Sequence, residues 1–119
     1  MTQPVEVFTN QGWGKAFSQG ANLAVASGTI NGLGNVTINH RTGNILSIAA
    51  NVGGGTLTVN FENNFDSDGI FFAVAFVYDP GVGTSPFLPI TQTASQCVFS
   101  GVFPGAGPWN FAVFAIANS

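Results

Sequence analysis

Apolar and polar residues alternate along most of this chain at the two-residue period of β-strands. The cleanest case is Thr56-Leu57-Thr58-Val59-Asn60-Phe61. It sends Leu57, Val59 and Phe61 inward and Thr56, Thr58 and Asn60 outward. Shorter extended stretches occupy residues 5–8, 13–17, 23–26, 29–30, 36–39, 44–50 and 96–102. Between them stand turn residues. Asn31-Gly32 suits a tight hairpin because both residues tolerate positive φ. Thr42-Gly43, Gly53-Gly54-Gly55 and Asp79-Pro80-Gly81 mark further breaks, and Pro104-Gly105-Ala106-Gly107-Pro108 marks the last. Pro86 and Pro89 make their segment read as a loop. No window keeps apolar residues at helical spacing for three turns, and the 16 Gly and 6 Pro interrupt any longer pattern. These signals predict an all-β chain: a single antiparallel β-sandwich, jelly-roll-like, with seven to eight strands. The sandwich spans residues 21–119, and the less regular residues 1–20 form an N-terminal arm.

Two segments break the alternation. In Ile70-Phe71-Phe72-Ala73-Val74-Ala75-Phe76-Val77-Tyr78, one face carries Ile70, Phe72, Val74, Phe76 and Tyr78. The other carries Phe71, Ala73, Ala75 and Val77. Trp109-Asn110-Phe111-Ala112-Val113-Phe114-Ala115-Ile116-Ala117 is likewise apolar on both sides. A sandwich strand normally meets water on one face. No helix is predicted that would cover the second one. Large apolar patches on soluble proteins are contact sites, so another subunit is the simplest cover. Phe71, Val77, Phe114 and Ile116 are the oligomer-interface candidates.

Composition sharpens this picture. Only 6% of the 119 residues are charged, against about 25% in an average soluble domain. Lys15 and Arg41 are the only basic residues, and the net charge is −3. Nucleic-acid binding depends on Lys and Arg neutralising phosphates, so nucleic acid is not an expected partner. Polybasic attachment to a membrane fails on the same count. The apolar run from Ile70 is too short to span a bilayer as a helix. Met1-Thr2-Gln3-Pro4 opens no secretory signal, since a basic start and a long apolar stretch are missing.

Candidate chemistry is sparse. Cys97 is the single cysteine and His40 the single histidine. Neither sits in a nucleophile motif, so the chain reads as non-enzymatic and without a cofactor. The flanks of Cys97 are strand-like, which suits a buried structural thiol. Residues 62–69 hold three of the five acids, Glu62, Asp66 and Asp68. Clustered oxygen ligands suit calcium, although no glutamate completes an EF-hand loop. As a polar turn the same stretch needs no metal. Trp13, between Gly12 and Gly14, is a candidate for stacking on a glycan. Asn35-Val36-Thr37 fits the N-glycosylation pattern, which matters only in a secreted protein.

Asn44-Ile45-Leu46-Ser47-Ile48, then Gly55-Thr56-Leu57-Thr58-Val59-Asn60-Phe61, then Phe65 and the apolar run from Ile70 form a recurring order of motifs. With the closing Trp109–Ile116 segment, this order resembles bacteriophage virion structural proteins over residues 35–117. The family pattern has Tyr where Leu57 stands, and often Arg where Ala50 and Asn51 stand. The resemblance implies a trimeric β-sandwich of the capsid-decoration or tail-fibre-tip type. It assigns no functional residues. A short chain of this kind looks most like a capsid decoration (cement) subunit acting as a homotrimer. It would be made in the host cytoplasm and carried on the virion, with major capsid or tail proteins as partners. The alternative is a receptor-binding tail-fibre tip or lectin-like module that recognises a bacterial surface glycan.

Overall fold

The computed structural model describes residues 23–64 and 71–117. They form β1 (Leu23–Ile30), β2 (Val36–Gly43), β3 (Ser47–Asn51), β4 (Thr56–Asn60), β5 (Phe71–Asp79), β6 (Gly83–Gln92), β7 (Gln96–Ser100) and β8 (Trp109–Ala117). All the paired strands are antiparallel, in the order β2-β1-β8-β5-β6-β7-β4-β3. The eight make one sheet that curls until its two end strands, β2 and β3, come close together. The product is a nearly closed barrel. The N-terminal arm expected at residues 1–20 lies outside the described residues.

Alternation explains most of the wall. Leu57 and Val59 on β4 and Cys97 and Phe99 on β7 point inward, and all four are buried. On β1 the buried positions are Ala24, Ala26, Gly28 and Ile30. The sequence divides β1 in two at Ser27-Gly28, but the strand runs through. Its register with β2 shifts there, leaving Asn39 as the extra residue of a bulge. Gly28 permits this because β2 comes very close. A Cβ on Gly28 would lie 1.9 Å from the Thr37 carbonyl oxygen.

The segment read as a proline loop is instead β6. Its residues 83–87 pair with β5 and residues 88–92 with β7. Each half therefore has one ladder partner, and half of its amides face away from any ladder. Proline is tolerated on that side and at irregularities. Pro89 adjoins such an irregularity, between Pro89 and Thr91. Conversely, residues 44–46, read as the start of a strand, form the corner between β2 and β3. Asn44 is buried there. Its side chain donates to the Asn63 carbonyl and accepts from the Asn63 amide, so the polar group is satisfied at both ends. Arg41 braces the same corner through the carbonyls of Ile45 and Leu46.

Large rings fill one end of the barrel. Phe103 sits edge-on to Phe87 at 5.0 Å and tilted against Trp109 at 4.9 Å. The Trp109 indole N–H donates to the Pro104 carbonyl. Away from Trp109, the inward positions of β8 and β5 shrink in steps, while β1 keeps small residues throughout. Gly28, Phe111 and Val77 form one row across the three strands. Ala26, Val113 and Ala75 form the next, and Ala24, Ala115 and Ala73 the last.

Candidate functional site

The outer face of the same three strands is unusually apolar. Register builds it row by row. Leu23, Ile116 and Phe72 lie side by side across β1, β8 and β5. Val25, Phe114 and Val74 follow, then Ser27, Ala112 and Phe76, then Thr29, Asn110 and Tyr78. None of the twelve is charged. An exposed sheet face in a water-facing protein normally carries polar side chains. Here Phe72 is 71% exposed, Phe114 45%, Tyr78 42% and Phe76 38%. Each aromatic ring presents about 150–250 Å². The four together therefore leave about 300–500 Å² of ring surface in water, near the size of the largest apolar patch on a typical monomer. Leu23, Val25, Val74 and Ile116 are half-buried and continue the patch between the rings.

The four interface candidates named from the sequence divide between the two sides of β5 and β8. Phe114 and Ile116 lie on the outer face. Phe71 and Val77 have the opposite parity on β5. Val77 is fully buried, and Phe71 packs half-buried against the core, edge-on to Phe61 at 5.6 Å. The rings that share the face with Phe114 are Phe72 and Phe76. The missing information was the register of β5 against β8, which pairs Val74 with Phe114. Either side of β5 reads as apolar in the sequence, so parity alone did not decide between them.

The other sequence candidates do not converge on a site. Cys97 is inside the barrel, where burial pushes its thiol up to about 12 from 9.0. Such a thiol stays protonated and is a poor nucleophile. His40 is exposed on the end strand β2, so the two do not form a pair. Glu62 is exposed after β4. Asp66, Asp68 and Trp13 lie outside the described residues. Among the described residues there is no group of three His, Cys, Asp or Glu side chains able to hold a metal ion. Trp109 is in the core, with its indole N–H already engaged.

Among the described residues, two surface clefts flank the barrel. One, of about 460 Å³, follows the seam between β2 and β3 and is lined by Val36, Ile38, Leu46 and Ile48 with Arg41. The other, of about 410 Å³, lies among the glycine-rich turns and is floored by Phe103 and Trp109. Neither gathers titratable groups, so the outer face of β1, β8 and β5 is the leading candidate for function. No protein-family model matches this sequence, and no curated protein or solved structure shows significant similarity to it.

Proposed function

We propose that this chain is a non-enzymatic structural subunit of a bacteriophage virion, a capsid decoration protein acting as a homotrimer. The observation that carries the assembly role is the uncharged, ring-rich outer face of β1, β8 and β5. About 400 Å² of exposed ring surface per copy, at about 25 cal/mol per Å², is about 10 kcal/mol of transfer free energy. Two such faces together exceed the roughly 4–15 kcal/mol lost when molecules give up independent motion. The face is thus large enough to drive assembly. The near absence of charge over the whole chain supports the same role, because little electrostatic desolvation opposes burial.

The virion assignment rests on the motif order from Asn44 to Ile116. In this reading the barrel is a flattened jelly-roll-like sandwich. The chain is made in the host cytoplasm and ends on the particle surface, with major capsid or tail proteins as its partners.

The test uses capsids lacking this chain, with and without added purified protein. Bound protein sedimenting with capsids, and a higher temperature of genome release, is the expected result. If the protein neither sediments with capsids or tails nor changes the release temperature, the virion role is wrong.

A further inference from the structure

We infer that the upper half of the outer face, the rows Leu23–Ile116–Phe72 and Val25–Phe114–Val74, is the contact between copies of this chain, with Phe114 at its centre. The lower half is the rim. This deepens the assembly reading above and rests on it.

The polarity of the face is graded. Its upper two rows contain six apolar side chains and no polar one. The lower two introduce Ser27, Thr29, Asn110 and the Tyr78 hydroxyl. Interfaces have this anatomy: an apolar centre that excludes water and a polar rim that stays wet. Phe114 stands on the middle strand, with Val25 on one side and Val74 on the other. A large ring at the centre of a patch is the usual anchor position.

Area argues for a second copy as the occupant. Phe72 and Phe114 alone expose about 170–290 Å². The four half-buried aliphatic side chains around them extend this toward the apolar centre of a standard interface, which totals about 800 Å² per partner.

The experiment is sedimentation equilibrium and light scattering on the full chain across a wide concentration range. Phe114→Asp and Phe72→Asp probe the upper rows, and Asn110→Asp and Tyr78→Asp probe the lower. Phe114→Thr, which keeps strand propensity, is a second variant in case the aspartate unfolds the sheet, and circular dichroism checks each fold. The expected result is an associating wild type. Upper-row variants should raise the dissociation constant at least about thirtyfold, and lower-row variants less than about threefold. An associating wild type that weakens with the lower rows and not the upper overturns the inference and leaves the assembly reading intact. So does one indifferent to both. A wild type that stays monomeric throughout overturns both. If its upper-row variants then melt at lower temperature, the face is covered within the same chain.

Discussion

Phe87→Ala and Phe72→Ala delete the same ring from neighbouring strands of the barrel, and the structure assigns them very different costs. Phe87 is fully buried on β6 and packs edge-on to Phe103. Removing a buried phenyl ring costs about 3–5 kcal/mol, from lost transfer free energy and from the cavity that remains. That is a large share of the roughly 5–15 kcal/mol that holds a domain together. Phe72 is 71% exposed, so less than a third of its ring leaves water when the single chain folds. Complete burial of a phenylalanine is worth about 1.5–3 kcal/mol. Phe72→Ala should therefore cost the isolated chain no more than about 1 kcal/mol. Urea unfolding, followed by tryptophan fluorescence and circular dichroism, measures both. It should be run at one concentration where the protein is dispersed and one where it associates. Association stabilises the folded form by mass action, so the cost of Phe72→Ala should grow with concentration while that of Phe87→Ala starts high. A loss of about 3 kcal/mol for Phe72→Ala in the dispersed protein would refute the exposure argument, because the ring would then be buried within its own chain. A loss under about 1 kcal/mol for Phe87→Ala would refute the placement of β6 in the barrel wall.

Further outcomes follow from Cys97 and from two glycines. Cys97 should resist alkylation at pH 8 in the folded protein and react once urea unfolds it, because burial keeps the thiol protonated. Its pKa is raised from 9.0 to about 12, so above about pH 9 the unfolded chain releases a proton that the folded chain retains. Stability should fall with pH in that window, by up to about 1.4 kcal/mol per unit, and Cys97→Ala should flatten this alkaline slope in urea titrations. Gly28→Ala drives a Cβ to 1.9 Å from the Thr37 carbonyl and should lower the melting temperature by at least about 5 °C. Gly53→Ala meets no atom closer than 3.9 Å and should stay within about 2 °C of wild type in the same calorimetric scan.

Strands with one polar face were legible in the sequence because burial selects one parity. Residues 56–60 and 96–100 follow that rule, and their inward side chains are those the alternation names. β6 was hidden by Pro86 and Pro89, since a proline is incompatible with a strand only where both edges are hydrogen-bonded. Nothing local reveals that this strand changes partners after Phe87. The continuity of β1 through Gly28 was hidden in the same way. The glycine that reads as a break is required by the closeness of β2, a tertiary fact. The closure of the barrel was equally out of reach. The corner at residues 44–46 is held by Asn44 reaching Asn63 and by Arg41 reaching two carbonyls, and no periodicity encodes such bonds.

The parity of β5 shows what decides when both faces are apolar. Size alone predicts that the larger side chains go inside, which would bury Phe72, Val74 and Phe76 and expose Ala73, Ala75 and Val77. The reverse occurs. Opposite the alanine rows, Val59 of β4, Phe61 just after it, Phe99 of β7 and Ile45 of the β2–β3 corner project into the interior, and Ala24 and Ala115 adjoin them there. Close packing leaves no room for two sets of large groups. The alanines of β1, β8 and β5 are thus complementary to the opposite wall, and the bulk carried by these strands is displaced to the outside. Turning β5 over would force Phe72 and Phe76 into filled space, at the cost typical of overpacking. Exposure of the rings is therefore fixed by the core and is not a loose end of the fold. Repacking of the described strands does not relieve it. Burial against another surface does, and this is the reason for proposing the outer face, rather than either cleft, as the contact surface.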